Sequence, residues 1–481
     1  MPESFSKKVA RGGLWLLALR IISRGLGFIR TIVLARLLVP KDFGLFGIAL
    51  LTFSAVEIFS RTGFQTALIQ KKENAESYLN TAWTVSALRA VVLFFLLFVS
   101  APLIAKLFNS PQATSVIKVI AISTLLSGFS NLGIVFFQKE LEFNKQFIYE
   151  ISGALIELTV AITLAFILQN VWALVWGLLA SSFIRFILSY ALHPFRPHFE
   201  LDKEKFKDLF TFGKWILGSG ILAFLVTQGD DIFVGKMLGV TALGLYQMAF
   251  TLSNIPATEI TNVISQVTFP TYSKFQDDLP RLREAYLKVL QLTAFLSFPI
   301  AGGIFLFAPD FVKIFMGNKW APIIPTLKVL VFAGLFRSLL ATTGPVLYAI
   351  GKPVVDTTWQ MIRLLLLFLT IYPLSLRWGI SGTSIAVLLS ITVATLGFIL
   401  KTISFIKIDI KRFCKIVWLP FVNTAITFLI ILLYLRYNAI VNFSQFLLIS
   451  FLSLCLYLAL TYIADYSLKY GMRNLLKEII T

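Results

Sequence analysis

The sequence predicts an all-α polytopic membrane protein with about 14 transmembrane helices. They form two six-helix lobes related by a pseudo-two-fold axis along the membrane normal, with two further helices at the C-terminus. Three observations predict this. Apolar blocks long enough to cross a hydrocarbon core of about 30 Å recur from end to end. Lys and Arg gather on alternate loops. Residues 7–49 match residues 207–249 without a gap.

The blocks come first. Of the 481 residues, 57% are hydrophobic and only 14% are charged, too little charge for a soluble chain of this length. Candidate spans fall at 12–35, 42–67, 80–105, 113–137, 146–168, 171–192, 211–235, 242–269, 286–307, 323–350, 353–376, 379–400, 416–435 and 444–466. A membrane barrel would show short alternating segments instead. The start, MPESFSKKVARGGLWLLALR, has the basic-then-apolar order of a signal peptide but no clean small-residue cleavage site. It reads as a retained first helix.

Orientation follows from charge. Loops on the N-terminal side of these spans, with both termini, hold 23 Lys and Arg, against 8 on the opposite side. The positive-inside rule then places both termini in the cytoplasm. The net charge of +19 sits mostly between apolar blocks, so it points to lipid headgroups; no basic, aromatic-interleaved domain suggests a nucleic acid.

The repeat places Gly13 over Gly213, Trp15 over Trp215, Ile32 over Ile232, Gly44 over Gly244 and Leu45 over Leu245 among 10 identities in 43 positions. Six spans separate the copies, so the two halves share one orientation, the parallel-repeat arrangement of transporters. The expected organisation is an N-lobe at 1–195, a linker at 196–206, a C-lobe at 207–405, and spans thirteen and fourteen with a tail at 406–481.

No soluble domain and no catalytic signature accompany these spans. There is no phosphate-binding G-x-x-x-x-G-K-[ST], no H-E-x-x-H and no G-x-S-x-G. Cys414 and Cys455 stand far apart, and His193 and His198 share one short loop. The reading is therefore not an enzyme, with no cofactor and no metal; the remaining function is movement of something across the bilayer, driven by a substrate or ion gradient.

Charges inside spans mark where. An ionised side chain at the bilayer centre costs about 2.5–3.5 kcal/mol on insertion scales. The first span carries Arg20, Arg24 and Arg30. At about 1.5 Å per residue, Arg24 lies roughly 18 Å into it, near the midplane. The three arginines occupy an arc of about 120°, so one face of this helix is cationic. Snorkelling toward headgroups is the plain alternative for Arg20 and Arg30. Glu57 and Arg61, four apart, have the spacing of a pair on one helix face. Arg89 is a further candidate. The second copy has the opposite sign: Asp230 and Asp231 lie in the seventh span, Glu259 follows in the eighth, and Asp230 occupies the register of Arg30. The expected arrangement brings Arg30 to Asp230 or Asp231 as a gate, with Arg20, Arg24, Arg30, Arg61 and Arg89 on the anionic substrate and Asp230, Asp231, Glu57 and Glu259 for gating or ion coupling. Arginine suits phosphate oxygens because its fork donates two parallel hydrogen bonds.

Residues 9–73, above all LARLLVPKDFGLFGIA and FSRTGFQTALIQKK, resemble the start of bacterial polysaccharide transporters. These are Wzx-type flippases of the multidrug/oligosaccharidyl-lipid/polysaccharide (MOP) exporter superfamily, in the colanic acid and teichuronic acid exporter branch. The resemblance implies a flippase of a bacterial cytoplasmic (inner) membrane that moves undecaprenyl-pyrophosphate-linked oligosaccharide repeat units to the outer leaflet by alternating access. The carboxylates of the second copy make H⁺ or Na⁺ the expected coupling ion, and polysaccharide polymerase machinery is an expected partner. The alternative is a cation-coupled multidrug extruder of the same superfamily, in whose cavity acidic residues would be expected.

Overall fold

The structure, a computed structural model, describes residues 5–60, 63–70, 75–257, 272–275, 277–438, 440–468 and 470–475, without the side chains of 5–11, 65, 70 and 208–219. Helices α1 (Phe5–Leu37), α2 (Pro40–Phe59), α3 (Phe64–Gln70), α4 (Leu79–Leu107), α5 (Ala113–Gly128), α6 (Val135–Lys139), α7 (Phe143–Leu168), α8 (Trp172–Leu192), α9 (Lys203–Met237) and α10 (Val240–Ser253) fill the first half. The second half has α11 (Leu279–Phe311), α12 (Ile323–Ala349), α13 (Pro353–Ile406), α14 (Ile410–Tyr437) and α15 (Phe443–Leu468). Among the described residues nine helices are long and apolar enough to cross a membrane, or ten if α5 and the stretch Leu132–Lys139, bent by 70°, form one broken span. The chain is a multi-pass, all-helical membrane protein.

Local chemistry sets the boundaries. Pro40 opens α2 at a position whose N–H would have no helical partner, and Asp42 accepts a hydrogen bond from the Val39 N–H at 3.2 Å. Asp202, Asp278 and Asp409 each turn a carboxylate onto the first free N–H groups of α9, α11 and α14. Helix α13 is two helices joined at a kink: Trp378 leaves helical geometry and Gly379 takes φ +56°. This break lies where the sequence separates span 353–376 from span 379–400.

The chain forms two compact units, Met1–Gly244 and Leu245–Thr481. In the first, α4 packs on α5, α7 on α8, α1 on α7, and α9 on α2, α3 and α4. Close approaches use small residues, as membrane helices require. Gly128 sits against Ala90, and Gly177 against Ala161. One apolar cluster gathers Phe64, Leu68, Trp83, Leu132 and Phe136; another joins Leu34 and Leu38 to Ala161, Ala165 and Leu174. In the second unit α11 packs on α12 and α14, α12 on α13, and α14 on α15. Its main cluster runs from Tyr272 and Tyr286 through Leu290 to Ile403 and Ile416.

Candidate functional site

Helix α1 is held by α7. The Gly12 backbone lies against the ring of Phe143, Trp15 meets Phe147 edge-on at 5.0 Å, and Leu34 packs with Ala161 and Ala165. At 100° per residue, Gly12, Trp15, Leu19, Arg30 and Leu34 form one stripe. Arg30 completes that contact by an ion pair with Glu157 of α7. Arg20 and Arg24 are four apart and lie about 80–120° round the helix from the stripe. Arg24 is exposed on unit 1, and Arg20 is half-buried. The remaining arc is apolar and exposed, with Leu14 at 70% and Ile21 at 63%. The helix thus has a packed, a cationic and an apolar side.

Two other arginines of unit 1 are matched across helices. Arg89 of α4 donates to Glu57 at 2.7 Å and to the hydroxyl of Ser60 at 2.9 Å. Arg185 of α8 faces Glu150 of α7 at 3.3 Å. Each pair offsets part of the cost of taking two charges out of water. Glu57 pairs with Arg89 from the neighbouring helix, while Arg61, its expected partner, lies outside the described residues. One expectation is corrected here. Arg30 meets Glu157 rather than Asp230 or Asp231, because α1 leans along α7 and brings the two to one level. Sequence spacing reveals partners on one helix and is silent about partners on adjacent helices, so Glu157 and Glu150 were legible as charges within spans but not as partners. Glu259 also lies outside the described residues.

Asp230 and Asp231 are buried on α9, at 4% and 7% exposure. Phe224, two turns earlier, meets Phe59 of α2 edge-on at 5.3 Å. The carboxylates therefore belong to a buried face of their helix, in contrast to Arg24 of α1.

One contact bears directly on the repeat. A side chain at Gly44 would strike the carbonyl of Val240, and a side chain at Gly244 would strike the carbonyl of Pro40. Residue 44 meets 240 and residue 244 meets 40, which is the reciprocity that a local two-fold axis imposes. The first turns of α2 and α10 cross backbone to backbone at residues that the 200-residue register pairs.

At the other end of unit 1 an extended strap, residues 193–202, ties the helix ends together. Buried Asn131 donates to the Phe195 carbonyl at 2.7 Å, Asn80 donates to Glu200 at 3.2 Å, and the N–H of Glu200 donates to Thr84 at 3.0 Å. Hydrogen bonds from Lys205 and Asn80 hold the Glu200 carboxyl below the usual range, and the same contact with Glu200 raises Lys205. His193 stacks on Phe136. Burial first, then the charge of Lys145, lowers its pKa against the opposing pull of Glu140, Glu142 and Glu76.

Residues 33–325 match the family described as polysaccharide biosynthesis protein. The chain belongs to that family. It is a family of transporters, not enzymes, and the Wzx-type resemblance of the opening helices agrees with it. Among relatives of this polysaccharide biosynthesis protein, the lipopolysaccharide biosynthesis protein WzxC of Escherichia coli (strain K12) is 26% identical over 87% of this chain and 86% of its own length. The teichuronic acid biosynthesis protein TuaB of Bacillus subtilis (strain 168) is 28% identical over 76% of each. Among solved structures, the lipid II flippase MurJ in an inward closed conformation superposes with a TM-score of 0.77 at 17% identity, over 95% of this chain and 99% of that one. At that identity the likeness speaks for the fold.

Proposed function

We propose that this protein flips lipid-linked oligosaccharide repeat units, carried on undecaprenyl pyrophosphate, from the cytoplasmic to the outer leaflet of a bacterial inner membrane for surface polysaccharide assembly. The observation that carries this reading is the cationic side of the first helix. Arg24, with Arg20 one turn away, lies on its exposed face, and Arg30 pairs with Glu157 beside it. A guanidinium at mid-membrane depth on an accessible face suits a pyrophosphate, whose oxygens accept paired N–H donors. The lipid tail stays in the bilayer, so only the headgroup needs a wet route.

In this reading fourteen spans form the two like-oriented lobes and the C-terminal pair set out above, with both termini cytoplasmic. The reciprocal Gly44–Gly244 crossing supports a local two-fold axis between the two copies of the repeat. By the Lys and Arg count, residues 36–42 and 236–242 face outward, which makes this crossing the candidate outer gate. Asp230 and Asp231 are carboxylates of the kind that take up H⁺ or Na⁺, and their uptake would bias the crossing toward opening. The drug-extruder alternative draws on the same two carboxylates, but the accessible charge on unit 1 at Arg24 is positive.

Deleting the gene and following the lipid-linked oligosaccharide pool tests the reading. The expected result is accumulation of the full repeat unit on the cytoplasmic leaflet with loss of surface polymer, restored by the wild-type gene. An unchanged glycolipid pool together with altered sensitivity to cationic drugs would favour the extruder.

A further inference from the structure

The strap at residues 193–202 carries apolar side chains that the translocation reading does not use. Phe199 is 68% exposed and Leu201 is 59% exposed. They lie two apart in extended chain, so they share one side. The acidic residues beside them turn to the protein. Glu200 is bonded by Asn80 and Lys205, and Asp202 receives the first free N–H groups of α9. A loop in water ordinarily shows the reverse, with polar groups outward.

Helix α4 fixes where the apolar side faces. The N–H groups of Glu200 and Asp202 donate to Thr84 and Thr81, at 3.0 and 3.4 Å. At 100° per residue those threonines share an arc of about 100° with Leu88, Val92, Phe95, Val99 and Leu103. All five are large, apolar and exposed. An exposed apolar stripe of this kind along a span faces acyl chains. The strap therefore continues the lipid-facing stripe of α4 at its N-terminal end.

Depth agrees with that placement. Helix α4 has 29 residues, which is about 43 Å of rise. That length matches a bilayer with its headgroups, about 40–45 Å, rather than the hydrocarbon core alone. The first turns of α4, where the strap is bonded, thus lie at the headgroup level. Trp83, in the second turn, meets Phe199 edge-on at 5.2 Å and donates to the Phe129 carbonyl at 3.4 Å. Tryptophan is enriched at this level of a membrane. Amphipathic helices there seat their apolar side about 5–10 Å into the boundary between headgroups and chains. The strap presents the same division of sides on extended chain.

We propose that the strap is a membrane-surface anchor, with Phe199 and Leu201 inserted among lipid headgroups and upper acyl chains. The strap also leads into the second copy of the repeat at residue 207. Anchoring keeps that connection on the membrane, held against α4 through Thr81 and Thr84 and against Asn131 after α5. The partner is the lipid surface itself, whatever molecule is transported.

The test places one fluorescent label, NBD, on the full chain in lipid nanodiscs, whose two faces both meet solvent. Cys414→Ser and Cys455→Ser remove the native thiols. Phe199→Cys, Leu201→Cys or Glu76→Cys then supplies the attachment point. Glu76 is exposed, just before α4. Quenching is read with phosphatidylcholine carrying a nitroxide near the top of its acyl chain, and separately with iodide in water. Labels at 199 and 201 should lose most of their emission to the nitroxide lipid and little to iodide. The label at 76 should show the opposite order. Leu201→Cys removes no ring contact and carries the test if Phe199→Cys does not fold. Iodide quenching at 199 and 201 equal to that at 76 would overturn the proposal. So would protection from both quenchers, which would show that protein covers the strap.

Discussion

Helices α1 and α9 occupy equivalent places in the repeat, yet they treat charge in opposite ways. At one register position the first copy has Arg30 and the second has Asp230. Helix α1 rests chiefly on α7, and it leaves Arg24 exposed. Helix α9 rests on α2, α3 and α4 and buries Asp230 and Asp231. The register is repeated in sequence, and within unit 1 the two helices have different neighbours. The difference teaches that a repeat can preserve a helix path while the packing around it decides whether a charge is presented or enclosed. On this account α1 is the helix that meets an anionic headgroup, and α9 is the helix that holds an ion-responsive pair.

The sharpest way to break the comparison is at the point where the two copies agree. Gly44→Val and Gly244→Val each force a side chain into a backbone carbonyl of the other copy. Overpacking of this kind costs about 1–3 kcal/mol. Each variant should lose flipping almost completely, with a lowered melting temperature in detergent, and the two losses should be of similar size. Tolerance of valine at either position would mean that the crossing is loose. Next in size is the accessible cation. Arg24→Gln removes charge-assisted hydrogen bonds of about 1.5–3 kcal/mol, so flipping should fall about 10- to 150-fold in a reconstituted assay. Arg24→Lys should recover only part, because an ammonium lacks the planar fork. A smaller effect is expected at the neutralised pair. Arg30→Glu should destabilise unit 1 by placing two carboxylates together, and Arg30→Glu with Glu157→Arg should restore most of the melting temperature and the flipping rate. If the double exchange is no better than the single, the ion pair is not what holds α1 to α7.

The smallest predicted effect concerns the strap. Burial lowers the pKa of His193 from 6.5, so the neutral ring is the form the fold prefers. Linkage then has a definite sign: the contribution of His193 is intact above about pH 6.5 and is lost as pH falls from there through the folded pKa. Melting temperature should decline over that acid window, and His193→Asn should flatten this part of the profile. A profile that is unchanged in the variant would assign the decline to other groups.

Much of the fold was legible because the bilayer imposes simple requirements. Apolar length marks helices, Pro40 and Asp42 mark where α2 begins, and the interruption near Gly379 divides two spans. The repeat was legible at Gly44 and Gly244 because a backbone crossing admits no other residue there, while leucines in the same copies carry little information. The charge partners were not legible. Arg89 finds Glu57, and Arg30 finds Glu157, through the packing of helices distant in sequence, which no periodicity encodes. The opposite sign of Arg30 and Asp230 suggested that they attract; in the structure Arg30 pairs with Glu157 of α7, and Asp230 is buried on α9, which packs on α2, α3 and α4.

The central claim is that Arg24 on the first helix receives the phosphorylated headgroup. The most direct measurement is the affinity of the purified protein for a polyprenyl pyrophosphate without sugars, compared between wild type, Arg24→Gln and Asp230→Asn. The account predicts saturable binding by wild type, a loss of tenfold or more in Arg24→Gln, and near-wild-type affinity in Asp230→Asn. Equal affinity in wild type and Arg24→Gln, with the loss falling on Asp230→Asn, would contradict it.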